Sequence, residues 1–445
     1  MSKIFFIGIN GIGMSGLAKI LIKKGFKVFG SDLERKEITN ELEKMGAKIF
    51  IGHNDLNVNG MDVVVYSSAI KPTNPEYLFA KLNNITLMKR GELLSKIMND
   101  EKGVAVAGTH GKTTTSSMSA VTLLNLDPTI VVGGIIREIN SNSKPGTGGI
   151  VVAEADESDN SFLMLKPYYS IITNIEPDHM EFHHTFENLK GSFKKFIEQT
   201  SGEVVVCIDC ETVREVIAGY KNIITYSTKD ENADVYAKNI RYENNKTIYD
   251  VFIKGSLEGE FKLSIPGEHN VANSLGAIYI ARQMGVSADE ISEKLENFFG
   301  AKRRFDIIYD QGVTVVDDYA HHPTEIEATI KAAKKRTKNR VIVVYQPHRY
   351  SRIKLLLDSF NGCFDEADQV VIMPIYAAGE KNIYDIQSES IVEILTKKEH
   401  VVCLHDSEIL IRKLLDEKKD GDLVLFMGAG DIYKTARNFA DILKG

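Results

Sequence analysis

Tryptophan is absent from this chain, cysteine occurs only four times, and proline only ten times in 445 residues. Four thiols (Cys207, Cys210, Cys363 and Cys403) are too few for a disulfide framework. The Cys207-x-x-Cys210 pair has no second pair with which to complete a metal site. Both end the apolar run "EVVVCIDC", so buried thiols are the expectation. So few prolines, with no low-complexity tract and no internal repeat, exclude a proline-rich or disordered chain. Positive charge is not in excess either. A net charge of -7 argues against a general nucleic-acid or anionic-membrane surface. Any phosphate site must then be local, made by backbone amides and a few basic side chains. No run reaches the roughly 18 apolar residues of a membrane span. Ile4 to Ala18 follows Lys3 and carries no charge, like the core of a secretory leader. Glycines interrupt it, however, and it continues as "KILIKKGFKVFGSD", a helix end followed by a strand. The expectation is a nucleotide-binding βαβ start in a cytoplasmic protein.

What is present is alternation. In residues 1–99, "KIFFIG", "KVFGSD" and "DVVVYSSAI" read as strands and Met14 to Lys24 as a helix, which predicts a parallel sheet flanked by helices. The polar stretch "MNDEKG" marks a boundary. Residues 100–299 continue with strands at "VAVAG", "TIVVGG", "GIVVAEAD", "YSIITNIEPD" and "EVVVCID". Between 233 and 265, apolar and polar residues alternate around Asn-Asn and Gly turns, which predicts antiparallel strands. Helices are expected at Val271 to Met284 and Ala288 to Phe299. A third alternating unit, 300–445, carries "GVTVVDDYA", "VIVVYQP", "QVVIMPI", "HVVCLHD" and "DLVLFMGAGD". Three α/β domains are predicted.

The strongest chemical signal is "VAVAGTHGKTTTSS". A strand stops at Gly108, and Gly111 precedes Lys112, Thr113 and Thr114 at the start of a helix expected to reach about Leu124. Amides at such a turn face an anion, Lys112 reaches β- and γ-phosphates, and Thr113 offers a hydroxyl to Mg2+. The usual eight-residue pattern wants a glycine where Val106 stands. A second turn, "IGINGIGMSG", has Gly8, Gly11 and Gly13 but Asn10 where a dinucleotide fingerprint has its second glycine. Asp32 lies about 20 residues on, where such folds place a ribose-binding acid. Asn10 weighs against a nicotinamide cofactor, because the missing glycine is the one that admits a pyrophosphate.

Further polar clusters end other strands, where open parallel sheets bind ligands. Glu154, Asp156, Glu157 and Asp159 suit Mg2+ ligation or a solvated loop. His179 follows "TNIEPD" directly, while His183 and His184 are expected at the surface. Asn270 and Asn273 could hold a base or cap their helix. Arg303 and Arg304 could meet a phosphate or form a surface ion pair. "VVDDYAHHPTEI" and "VVYQPHRYSR" place His348, Arg349 and Arg352 in a fit for a carboxylate or phosphate clamp.

In this order, "GMSGLA", "SSAI", "AGTHGKTTT", "EADESD", "NIEPDHMEF", "GEHNVAN", "RRF", "DDYAHHPTEI", "QPHRYSR" and "GAGD" resemble the Mur ligase family along the whole chain. The resemblance implies a Rossmann-like UDP-binding domain, a central P-loop ATPase-like α/β domain with a small antiparallel sheet, and a C-terminal Rossmann-like domain bringing an amino acid. It implies ATP at Gly108, Thr109, His110, Gly111, Lys112, Thr113 and Thr114, with Asn270, Asn273 and Arg304 also on the nucleotide. Thr113 and Glu154 would hold one Mg2+ and His179 a second. Gly11, Ile12, Gly13, Met14, Asp32, Ser67 and Ser68 would take the UDP-sugar. Tyr319, His321, His348, Arg349 and Arg352 would take the amino acid, and Lys112, Glu154, His179, His348 and Arg349 would carry catalysis. "DDYAHHP" and "QPHRYSR" point to the alanine-adding member, which joins L-alanine to UDP-N-acetylmuramate through an acyl phosphate for peptidoglycan. A relative that recycles a whole peptide is the near alternative. The expected protein inserts into no membrane, binds no nucleic acid, and is a monomer or weak homodimer.

Overall fold

The computed structural model describes residues 2–67 and 69–445, so Ser68 lies outside the described residues. The first sheet contains β1 (Lys3–Ile7), β2 (Lys27–Asp32), β3 (Lys48–Ile51), β4 (Val63–Tyr66) and β5 (Thr86–Lys89). Their order is β3-β2-β1-β4-β5, with every neighbouring pair parallel. Ile4 to Ile7 are all buried, as a strand covered on both faces requires. Strand order reverses between β1 and β4, so their carboxyl ends open a crevice.

The second sheet contains β6 (Lys102–Ala107), β7 (Thr129–Ile136), β8 (Ser141–Lys144), β9 (Ile150–Glu154), β10 (Tyr169–Ile172), β11 (Val204–Cys207), β12 (Ile223–Ser227), β13 (Val235–Glu243), β14 (Lys246–Ile253) and β15 (Ser256–Leu263). Its order is β15-β14-β13-β12-β11-β10-β6-β9-β7-β8. From β13 to β7 the neighbours are parallel, and β8 is antiparallel to β7. The expected small antiparallel part is thus continuous with the main sheet. Asn244-Asn245 (φ 51° and 61°) and Lys254-Gly255 (φ 50° and 77°) make two-residue turns, the geometry that folds a strand back on its neighbour.

The third sheet contains β16 (Asp306–Gln311), β17 (Val313–Asp318), β18 (Val341–Tyr345), β19 (Gln369–Ile372), β20 (Val401–Cys403) and β21 (Leu423–Met427), in the order β16-β17-β21-β18-β19-β20. Only β16 pairs antiparallel, with β17. The fold is α/β with three mostly parallel sheets. Two compact units divide the chain. One contains the chain up to Lys238 with Val251–Gly259 and Ala272–Leu295, and the other Asn239–Asp250, Glu260–Val271 and Glu296–Gly445.

Helix ends move by a turn or less from expectation. The first is Ile12–Lys23, the cradle helix is Lys112–Thr122 with a 3-10 turn after it, and the later pair are Glu268–Gln283 and Ala288–Glu296. All four cysteines are free, and burial pushes the Cys207 thiol up to about 12, which disfavours its thiolate. Among the described residues no helix is long and apolar enough to cross a membrane.

Candidate active site

The cradle is built by contacts that leave only glycine possible at its first corner. Gly108 has φ 140°, and a Cβ there would stand 2.0 Å from Thr173 Oγ1 and 3.1 Å from the Asn174 carbonyl oxygen. Thr109 and His110 are stitched to the loop after β10. Thr109 N–H donates to Asn174 O at 3.1 Å, His110 N–H to Asn174 Oδ1 at 2.8 Å, and Glu176 N–H to Thr109 Oγ1 at 2.9 Å. Gly111 caps the helix Lys112–Thr122 in the left-handed conformation, and a Cβ there would meet Asn273 Oδ1 at 2.7 Å. No side chain caps this helix and no acid stands in its first turn, so its leading amides suit an anion. Val106, in place of the usual first glycine, is fully buried in β6, and Gly108 makes the turn instead.

Acids converge on this cradle from the end of β9. Lys112 Nζ lies 3.0 Å from Glu157 Oε1. Burial alone would push the Lys112 ammonium down, yet Glu157, Asp156 and Glu154 together hold it above its ordinary range. Burial raises the Glu157 carboxyl against the pull of Lys112. Glu154 accepts the Gly133 N–H from β7 at 2.9 Å, which aims its carboxylate. The acidic loop rests on Phe162, fully buried against Phe193 and Phe196 at ring distances of 5.4 and 5.0 Å. Burying one such ring is worth about 2–3 kcal/mol. His179 sits at φ 55° between Asp178 and Glu181. Backbone strain of this kind persists only where surrounding structure enforces it.

His183 corrects an expectation. It is 3% exposed, not at the surface, because its Nε2 lies 2.8 Å from the Glu157 carbonyl oxygen. Burial lowers its pKa and favours the neutral ring. His184 is exposed.

The N-terminal turn opens a cleft of about 480 Å³ that reaches the same acids. Gly11, Ile12, Gly13, Met14, Asp32 and Ser67 line it, and so do Arg90, Gly133, Glu154 and Asp156. Asn10 does not block the turn. Its backbone N–H donates to Asp32 Oδ2 at 2.8 Å, its amide donates to Glu34 O at 2.8 Å, and its Oδ1 accepts Thr39 Oγ1 at 2.8 Å. Asp32 accepts the Leu33 N–H with its other oxygen, so both oxygens shape the turn. Arg90 lies 3.7 Å from Asp156 and closes over Gly13, where a Cβ would be 3.1 Å from its Cδ.

The second unit gathers the other predicted residues by itself. His321 Nδ1 lies 3.0 Å from Tyr319 O and 3.3 Å from Glu325 Oε2. Arg352, 9% exposed, lies 3.0 Å from His348 Nδ1. The His348 ring stacks on Tyr376 at 5.7 Å and 6°. Arg349 takes φ 66°, its N–H donates to Tyr376 O at 2.9 Å, and its guanidinium stands 4.0 Å from Glu380. Arg303 and Arg304 both stack on Tyr319, each 5.0 Å from the ring centre. Asn270, in this unit, lies inside the helix Glu268–Gln283 and its amide donates to Pro266 O at 2.7 Å.

Sequence reasoning passed over Gly133, Arg90, Tyr376 and Glu380. The "YAAGE" loop follows β19, which is the signal that could have marked Tyr376 and Glu380, whereas Gly133 lies within β7 and carries none. Arg90 stands directly after β5, at the start of its helix, so it carries the same strand-end signal.

An uncapped phosphate cradle ringed by acids, beside a glycine-turn cleft on parallel sheets, defines a nucleotide-binding α/β protein. Family models match as Mur ligase family, catalytic domain, over residues 3–102, Mur ligase middle domain over 106–281, and Mur ligase, glutamate ligase domain, over 303–430. The chain belongs to the Mur ligase family. It is 50% identical to the UDP-N-acetylmuramate–L-alanine ligase of Fusobacterium nucleatum, across 100% of this chain and 98% of that protein. The solved UDP-N-acetylmuramate-alanine ligase of Thermotoga maritima is 30% identical with a TM-score of 0.83, covering 100% of this chain and 99% of that one. A murein peptide ligase from Psychrobacter arcticus shares the fold at 24% identity and a TM-score of 0.72, over 100% and 99% of the two chains.

Proposed function

We propose that this chain is an ATP-dependent ligase that joins L-alanine to the lactyl carboxylate of UDP-N-acetylmuramate in cytoplasmic peptidoglycan precursor synthesis. The observation that carries this reading is the shared cleft. The N-terminal glycine turn and the acids beside Lys112 line one hollow, so a UDP-sugar bound at the turn can extend its acid towards the cradle. A carboxylate is a poor electrophile. Transfer of the γ-phosphoryl group of ATP to it gives an acyl phosphate and ADP. Attack by the alanine amine then forms the amide and releases phosphate.

Lys112 and the helix amides would balance charge on the moving phosphoryl group. The oxygen donors present, the buried Thr113 hydroxyl and the Glu154 carboxylate, suit a hard divalent ion such as Mg2+, and His179 is the candidate ligand of a second. Mg2+ would supply charge neutralisation for the phosphates. Tyr319, His321, His348, Arg349 and Arg352 would bind the alanine carboxylate and the phosphate developing beside it.

The test is a product assay by mass with UDP-N-acetylmuramate, ATP and Mg2+, adding L-alanine, glycine, L-serine or a muropeptide-type tripeptide one at a time. A product heavier by one alanine residue supports the proposal. Preference for the tripeptide overturns the substrate assignment, and phosphate release indifferent to both UDP-N-acetylmuramate and the added amine overturns the ligase reading.

A further inference from the structure

The three hydrogens of the Lys112 ammonium are spent within the protein. Nζ donates to Glu157 Oε1 at 3.0 Å, to Gly108 O at 2.5 Å and to Thr109 O at 3.0 Å. Two of these acceptors are carbonyls of the cradle itself, so the side chain lies folded back over its own loop. Glu157 is no ordinary surface acid. Its side chain is 2% exposed, and its Oε2 has no hydrogen-bond partner among the described residues. Its backbone carbonyl is held twice, by Asn160 N–H at 3.2 Å and by His183 Nε2 at 2.8 Å. The backbone that carries the acid is therefore anchored, while Lys112 reaches it through a long side chain with several rotatable bonds.

An incoming polyphosphate needs the charge that Glu157 holds, and the Glu157 carboxylate repels it. We infer that Glu157 is a positioning residue that retracts Lys112 onto the cradle carbonyls when no nucleotide is bound, that nucleotide draws the lysine off it, and that return of the lysine to Glu157 helps ADP leave. This rests on the reading of Gly108 to Thr114 as an ATP cradle. It goes beyond that reading in making an acid oppose nucleotide binding at the site it serves. Loss of the Glu157 charge removes a repulsion within several ångströms of the phosphates and frees Lys112 from a competing partner, so nucleotide should bind more tightly. A merely structural acid would do the opposite on removal, since a disturbed cradle binds everything less well.

The experiment is calorimetric titration of ADP and of a non-hydrolysable ATP analogue into the wild-type chain, Glu157→Gln and Glu157→Asp, with steady-state kinetics and a melting curve for each. In Glu157→Gln, which keeps the shape, the ADP Kd should fall about tenfold, as expected for one unit charge removed at this range, while kcat also falls. Glu157→Asp, which restores the charge, should bring the ADP Kd back to within about threefold of wild type. An unchanged or weakened ADP affinity in Glu157→Gln, with wild-type melting, overturns the inference. Weakening in both variants alike assigns Glu157 a structural role and overturns it too. Failure of the wild-type chain to bind either nucleotide would instead overturn the cradle reading on which it stands.

Discussion

The Gly133 N–H donates to Glu154 Oε2 at 2.9 Å, and a Cβ on Gly133 would stand 2.6 Å from that same oxygen. Strand β7 thus aims the acid that ends β9, and it does so only while Gly133 has no side chain. Gly133 is exposed and the clash is with the tip of a flexible side chain, so Gly133→Ala should fold with a stability change below about 1 kcal/mol. Glu154 must swing away, however. Product formation should drop about tenfold or more, with a higher Mg2+ concentration needed for half-maximal rate. Activity measured across a Mg2+ series, beside a melting curve, checks both halves.

Gly108→Ala should behave differently. Its Cβ would meet Thr173 Oγ1 and the Asn174 backbone, and φ 140° disfavours any side chain. The variant should lose nucleotide binding and about 2–3 kcal/mol of stability. Urea unfolding and ADP titration read the two losses separately.

Arg349 offers a planar fork that lysine cannot reproduce. Arg349→Lys should raise the KM for L-alanine about 10- to 100-fold while the KM for ATP moves little, which initial-rate kinetics will separate. Arg412, whose side chain is 78% exposed and which pairs only loosely with Glu408, is the control, and Arg412→Lys should change neither constant.

Burial raises both Asp317 and Asp318 to about 6, against the attraction of Arg303 for the first and Arg304 for the second. Each folded-state value lies above the ordinary 3.8. The folded chain therefore binds more protons than the unfolded chain between pH 4 and 6, and stability from these groups falls as pH rises through that window. Above it each carboxylate is charged at a cost. Asparagine at 317 imitates the protonated acid, so the melting temperature of Asp317→Asn relative to wild type should improve from pH 5 to pH 7.5. A gain of about 2 kcal/mol is the order expected. A difference that stays flat across this range would contradict the assignment.

The cradle could be read from sequence because every link of the pattern is local: a buried strand, a glycine corner, a lysine and a helix start. Polar strand ends were legible for the same reason at Glu154, which ends β9, and at Arg349, just beyond β18. β10, however, stops at Ile172, and His179 lies further along its loop than the sequence suggested. Partnership was not legible. Nothing in "EADESD" says that Glu157 meets Lys112 while Glu154 meets a glycine amide from another strand, since those contacts join residues 45 and 21 positions apart. His183 was misread because adjacent histidines look solvated, whereas one carbonyl 26 residues away suffices to bury the ring. The edge strand β8 failed for want of apolar residues, whereas the edge strand β20, expected from "HVVCLHD", is present. β8 is "SNSK" and pairs only with β7, so no alternation marks it.

Asn10 hands its tether onward: Thr39 Oγ1 donates to Asn10 Oδ1 and in turn accepts the Lys36 N–H at 3.0 Å, at the entry to the helix Glu37–Lys44. The glycine turn is consequently wired to a helix start through a relay of single hydrogen bonds. Lys36 itself lines the cleft, so occupation of the cleft should slow amide exchange at Lys36 and, through the relay, at Thr39, and these two backbone protons become a spectroscopic gauge of substrate loading.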